Sequence, residues 1–149
     1  MKRILVCGGR DYGLINPKRP LEYPRKHAER RRLNEVLSTF AVKLGTFQII
    51  HGGAKGADAL AGAWASDRPA FPEPLAFPAD WDNVSVPGAV VRTSKKTGKP
   101  YNILAGHFRN QRMIDEGKPD LVIAFPGGTG TADMVDRARK AGIEVREVV

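Results

Sequence analysis

The chain has 149 residues, a hydrophobic fraction of 42% and a charged fraction of 27%, the profile of one ordinary globular domain large enough for its own core. Its lone cysteine, Cys7, excludes an internal disulfide framework; with no secretory leader after Met1-Lys2-Arg3 and no apolar run near the ~20 residues that span a bilayer, a soluble cytoplasmic protein is expected. The formal net charge of +8 sits in two stretches, Pro17 to Arg32 (Lys18, Arg19, Arg25, Lys26, Arg30, Arg31 and Arg32 against Glu22 and Glu29) and Arg92 to Lys99 (Arg92, Lys95, Lys96 and Lys99 with no acid), which read as basic insertions near 17–32 and 85–106, either solvated loops or contacts for nucleic acid or another polyanion.

Arg3-Ile4-Leu5-Val6-Cys7 is a first strand, ended by Gly8-Gly9. Pro17, Pro20 and Pro24 make Arg10 to Lys26 a long loop. From His27 to Leu44 the helical period is kept by Leu33, Val36, Leu37, Phe40, Ala41 and Leu44, and Gly45 closes that helix. Phe47 to Ile50 is a second strand, followed by the glycine turn His51-Gly52-Gly53-Ala54-Lys55-Gly56-Ala57-Asp58. Ala59 to Ser66 is an alanine-rich helix able to approach a sheet closely, and Leu75-Ala76-Phe77 a short third strand. Ser85 to Gly106 holds Pro87, Gly88, Gly98 and Pro100 without apolar periodicity, so it is a loop or hairpin insertion. Phe108 to Glu116 is a helix, Leu121 to Phe125 a buried strand, Ala132 to Ala141 a helix and Val145 to Val149 a last strand.

Strands alternating with helices predict an α/β fold, a single domain with a parallel sheet and helices on both faces. The glycine turns at Gly8, Gly52 and Gly127 then lie along the carboxyl edge, where such folds bind ligands. The last turn, Gly127-Gly128-Thr129-Gly130-Thr131, joins an apolar strand to a helix start, so its unpaired N–H groups and the helix dipole predict an anion site. Neither the Gly-x-Gly-x-x-Gly dinucleotide fingerprint nor the Lys-Ser/Thr phosphate loop occurs. Cys7, His27, His51 and His107 show no metal-ligand spacing, no serine stands in a nucleophile elbow, and no cofactor is expected.

Four stretches taken together, Gly8-Gly9-Arg10-Asp11-Tyr12, His51 to Asp58, Phe77-Pro78-Ala79-Asp80-Trp81, and Arg109-Asn110-Gln111-Arg112-Met113 through Pro126 to Asp133, resemble the YspA group, the cpYpsA-related branch of the SLOG superfamily. The resemblance spans the chain apart from the two basic stretches. It implies a Rossmann-like fold and a nucleotide or nucleotide-derived ligand, such as a nucleoside monophosphate, a cyclic nucleotide or an ADP-ribose-like molecule. The superfamily includes the Lonely Guy phosphoribohydrolases, sensors of NAD-derived signals and a DNA-processing protein; its members are commonly dimers or larger, which implies a homo-oligomer here. The hydrolase motif, Pro-Gly-Gly-x-Gly-Thr-x-x-Glu after an upstream arginine, is matched by Pro126 to Thr131, with Arg109 and Arg112 available for the arginine. Met134 stands at the glutamate position, and Asp133, one residue earlier, is rotated by about 100° on a helix.

Three functions follow as expectations. One is a nucleic-acid-binding accessory protein, whose Arg30, Arg31, Arg32, Lys95 and Lys96 contact phosphates without reading sequence. In a binding protein, Gly127, Gly128, Thr129, Gly130 and Thr131 hold a phosphate, and Gly52, Gly53 and Gly56 with Lys55 form a second cradle or ribose site. Gly8 and Gly9 bring the backbone close, Arg10 offers a planar fork to phosphate, Asp11 or Asp58 takes ribose hydroxyls, and Asn110 reads a base edge or ribose. In an N-glycosidase acting on nucleoside 5′-monophosphates, Asp133 supplies the carboxylate while Arg109 and Arg112 grip the 5′-phosphate. The structural alternatives are a helix cap for Asp58, a surface ion pair for Arg10 and Asp11, packing turns for the glycines and core for Trp81.

Overall fold

The computed structural model describes residues 1–149. Five parallel strands form one sheet in the order β3-β2-β1-β6-β7. They are β1 (Arg3–Cys7), β2 (Gln48–His51), β3 (Leu75–Ala76), β6 (Leu121–Ala124) and β7 (Glu144–Glu147), with β4 (Val91–Thr93) and β5 (Pro100–Asn102) forming a separate antiparallel hairpin. The helices are α1 (Tyr23–Leu44), α2 (Ala57–Ser66), α3 (Ala105–Asp115) and α4 (Thr129–Lys140). This is the Rossmann-like α/β arrangement. No helix is long and apolar enough to cross a membrane.

Strand alternation divides the core between the two faces. Ile4 and Val6 of β1, Ile49 of β2 and Ile123 of β6 point to the side covered by α1 and α2, where Leu33, Leu37, Ala57, Ala61 and Trp64 meet them. Leu5, Cys7, Ile50, Val122 and Ala124 point the other way, onto Met113 and Ile114 of α3 and Met134, Val135 and Ala138 of α4. Burial on both faces explains why β1 and β6 read as continuous apolar runs rather than alternating ones.

The chain runs outward from β1 through β2 to β3, then returns to the other side of β1 with β6 and β7. The connections after β1 and β6 therefore diverge, leaving a crevice above their carboxyl ends. The Gly9 amide donates to the Pro126 carbonyl (2.9 Å) across this divide, and Tyr12 packs on Phe125 with ring centroids 5.3 Å apart.

The basic stretch 17–32 is not all loop: from Tyr23 onward it is α1, the crossover helix of the first βαβ unit. Lys26 is buried, its ammonium donating to the Asp11 carbonyl (2.7 Å) and lying 3.3 Å from Glu29. Arg30 Nε donates to the Gly13 carbonyl (2.7 Å). These cations hold the loop after β1 in place. The stretch 85–106 is the β4–β5 hairpin and the first two residues of α3. Buried Asn102 staples it, its Oδ1 accepting from the Val90 (3.2 Å) and Leu104 (3.0 Å) amides.

Candidate ligand-binding site

The crevice above β1 and β6 is an open cleft of about 530 Å³. Its floor is Cys7, Gly8 and Gly9, one wall is the turn Gly127 to Thr131 with Met134, and the other wall is α3 through Gly106, His107, Arg109, Asn110 and Met113. Arg10, Asp11, Ala54, Asp58, Trp81 and Ile103 complete the lining. The structure thus brings Gly8, Gly9, Arg10, Asp11, Asp58, Arg109, Asn110 and Gly127 to Thr131 to one place.

The glycines divide by what a side chain would meet. A Cβ on Gly8 would lie 2.6 Å from Ala57 Cβ, and one on Gly127 would collide with Thr131. Gly56, with φ of +76°, presses against the Gly9 and Arg10 backbone, so it is a packing residue outside the cleft. Gly128 and Gly130 are different, because a Cβ there meets nothing within 4 Å. They open the amino end of α4, where Gly128 at the N-cap makes no side-chain cap hydrogen bond. The first amides of that helix are therefore left for an external acceptor.

Arg109 is pinned by carbonyl and amide oxygens. Its Nη1 donates to the Gly52 carbonyl, with a longer contact to the Phe77 carbonyl (3.4 Å), and its Nε donates to Asn110 Oδ1 (3.1 Å). Gly52 must be glycine for this, since a Cβ there would run into the guanidinium. Burial and the neighbouring Arg10 pull the Arg109 pKa down, while Asp58 opposes them; the group remains a cation.

Asp58 is only 6% exposed. Its Oδ2 accepts from the Gly52 amide (2.9 Å) and the Ala54 amide (3.3 Å), so it ties the turn after β2 to the first turn of α2. Burial raises its pKa above the ordinary carboxylate range, against the Ala54 hydrogen bond, the Arg109 charge, the Gly52 hydrogen bond and the Arg10 charge. It is therefore not a cap of α2, which has no side-chain cap hydrogen bond; it braces the preceding turn and lines the cleft. His51, by contrast, accepts the Gly53 amide at Nδ1 (3.0 Å), does not line the cleft, and has its pKa lowered by burial and by Arg109.

Arg112 and Asp133 lie elsewhere than the sequence suggested, and Asn110, though in place, is already engaged. Arg112 points away from the cleft, its Nε donating to Glu116 (2.8 Å), because it stands one turn farther from the carboxyl edge than Arg109. Asp133 does not line the cleft: its Oδ2 accepts from Asn110 Nδ2 (3.0 Å) and Arg137 Nε (2.8 Å), and its Oδ1 lies 3.6 Å from His107 Nδ1. Burial would raise its pKa, but the Arg137 and Asn110 hydrogen bonds and the Arg137 and His107 charges prevail and hold it low. Asn110 lines the cleft, yet its amide is committed to the Gly130 carbonyl (3.2 Å), Asp133 and Arg109, so it clamps α4 onto α3 rather than presenting a reading edge. The inward position on this turn of α4 belongs to Met134, which is buried and lines the cleft.

Gly52, Gly53 and Lys55 line an adjoining recess with Pro78 and Ala79. Trp81 borders both spaces with the Arg10 guanidinium carbon 5.6 Å from its ring centroid, so this tryptophan is wall rather than core. Sequence reasoning missed His107 as a lining residue; its one signal was its place two residues before Arg109. No group of three or more His, Cys, Asp or Glu side chains is placed to hold a metal ion.

Residues 2–83 match the sequence model of a family described as the YspA, cpYpsA-related SLOG family. No curated protein matches the chain. The matched residues carry β1, β2 and β3, the first two glycine turns, Asp58 and Trp81.

Proposed function

The chain belongs to the YspA, cpYpsA-related SLOG family, and from that premise we propose that it binds a nucleotide or nucleotide-derived ligand in the cleft above β1 and β6. In this reading the phosphate sits at the amino end of α4 against Gly127 to Thr131, where unpaired amides and the helix dipole favour an anion. Arg10 and Arg109 supply the counter-charge, and Asp58, with Asp11 at the cleft rim, accepts ribose hydroxyls. The observation that carries the reading is the pair Gly128 and Gly130: both open onto free space at an uncapped helix start, so close approach by a ligand accounts for them better than packing does. Calorimetric titration with nucleoside 5′-monophosphates, cyclic nucleotides and ADP-ribose tests it. One saturable site per chain for at least one of them is expected, and Arg109→Ala weakens it at least tenfold; no binding across the panel overturns the reading.

A second reading is hydrolysis of the N-glycosidic bond of a nucleoside 5′-monophosphate, in which water adds to the ribose C1′ and the base leaves with a proton. The observation favouring it is Asp58, a carboxylate in the cleft whose burial raises its pKa toward the range useful for proton transfer. On this reading Asp58, not Asp133, carries the chemistry, because Asp133 is held by Asn110 and Arg137. Chromatography of free base released from nucleoside monophosphates decides it. Activity abolished by Asp58→Asn and kept in Asp133→Asn is expected; the reverse pattern refutes this assignment.

A further inference from the structure

The recess beside the cleft has about 450 Å³ of its own, and its lining carries three cations, Arg10, Lys55 and Arg109, and no carboxylate. None of the three forms an ion pair within the protein. The main cleft differs, since there Asp11 and Asp58 face Arg10 and Arg109. The two spaces share Arg10, Ala54, Trp81 and Arg109 as their common border. Like charges held around one concave space raise the potential there and favour an anion. Asp58 offsets Arg10 and Arg109 in part, but no carboxylate lines the recess and none pairs with Lys55.

Three amides of the recess are engaged, Gly52 and Ala54 with Asp58 and Gly53 with His51, and its charged donors are side chains. Arg109 is fixed on the border by the Gly52 carbonyl and Asn110. Exposed Lys55 makes no side-chain hydrogen bond or ion pair of its own, and its flexible ammonium is free to close on a group placed there. Gly53, with φ of +75°, turns the chain so that this wall faces Pro78, which a Cβ would meet only at an ordinary 3.7 Å.

We propose that this recess is a second anion subsite, and that the molecule bound in the main cleft reaches across the Arg10–Trp81–Arg109 border to place a second phosphate against Lys55. The ligand class is then a nucleotide with two separated phosphate groups, not a simple monophosphate. This rests on the nucleotide-binding reading above and narrows it. One phosphate lies at the start of α4, the sugar passes Asp58, and the second phosphate meets Lys55, Arg10 and Arg109.

The experiment is calorimetric titration of adenosine 5′-monophosphate and adenosine 3′,5′-bisphosphate into the native protein and into Lys55→Ala, whose exposed position spares the core. The native protein is expected to prefer the bisphosphate by about tenfold or more, the return of one charge-assisted contact. In Lys55→Ala that preference collapses to about unity. A native preference near unity, or a preference that survives Lys55→Ala, overturns the second subsite while leaving the nucleotide reading standing whenever either compound binds. Failure of both compounds to bind overturns the second subsite as well, and together with a silent broader panel it removes the nucleotide reading too.

Discussion

At the residue scale two carboxylates, Asp58 in the cleft and Asp133 outside it, stand in opposite electrostatic states. Asp133 is charged cheaply among Arg137, Asn110 and His107, whereas Asp58 is charged at a cost imposed by burial. Their contributions to stability therefore run in opposite directions with pH. Asp133, whose folded pKa is lowered, contributes stability that is present above the unfolded carboxylate value of about 3.9 and is lost as pH falls through its folded value. Asp58, whose folded pKa is raised, contributes stability that is present below that unfolded value and is lost as pH rises through its folded one. Thermal denaturation between about pH 3 and pH 7 is expected to show Asp133→Asn costing most at neutral pH and least in acid. Asp58→Asn should instead gain on the native protein as pH rises; parallel curves for the two variants would refute this assignment. Cys7 offers a simpler check on the cleft floor. Burial, with Asp58 and Glu147 adding to it, pushes its thiol up to about 12, so no useful thiolate exists at neutral pH. Iodoacetamide is expected to leave the native protein unmodified at pH 8 while labelling the unfolded chain, and rapid labelling of the native form would show the floor to be open.

At the scale of elements, the feature that matters is the amino end of α4. Gly130 lies within the helix, where glycine costs roughly 0.5–1 kcal/mol relative to alanine, and a Cβ there meets nothing. Gly130→Ala is therefore expected to raise the unfolding free energy by that amount while weakening nucleotide binding at least tenfold. A variant that is both more stable and unchanged in affinity would show that the ligand does not approach this turn. The same geometry explains which element limits were legible in the sequence. β1, β2 and β6 were found within a residue because burial on both faces leaves short apolar runs. The helices α2, α3 and α4 begin at Ala57, Ala105 and Thr129, two to three residues before the apolar period suggests, because their opening residues are small or polar. Some of these are buried, like Ala57 and Ala105, and others line the cleft, like Asp58, His107 and Thr129. α1 begins at Tyr23 because Pro24 stands in the helix's opening turn, where its fixed φ and missing amide suit a helix start. The glycine turns were legible as a convergent edge, since punctuation after buried strands has few other causes. Whether Arg109 or Arg112 reaches the cleft was not legible: helical spacing gives a shared face but not the distance of each turn from the sheet edge.

For the molecule as a whole, the net charge of +8 overstates the cationic surface available to a partner. Lys26 and Arg30 are tied to carbonyls of the loop after β1, and Arg19 and Arg25 both reach Glu22. The sheet edges are blunted too, β3 by its two-residue length and β7 by the pairs Arg139–Glu147 and Arg146–Glu144. A homo-oligomer of the kind the resemblance implies has helix faces rather than strand edges to pair through. What remains as an acid-free cluster is the β4–β5 hairpin, with Arg92 on β4 and Lys95, Lys96 and Lys99 at its turn. Contact with nucleic acid is expected at this hairpin and limited to phosphates, because these side chains carry no fixed geometry for reading bases. Four such contacts give single-stranded DNA a salt slope near −3, so affinity is expected to fall about fiftyfold between ~50 and ~200 mM salt. Reversing Lys95→Glu with Lys96→Glu should abolish the binding left at low salt, whereas Arg31→Glu on α1 should change it little. Fluorescence anisotropy with a labelled oligonucleotide reads both effects. Binding that ignores salt, or that survives the hairpin reversal and fails on the α1 change, would move the contact away from the hairpin and onto the face of α1.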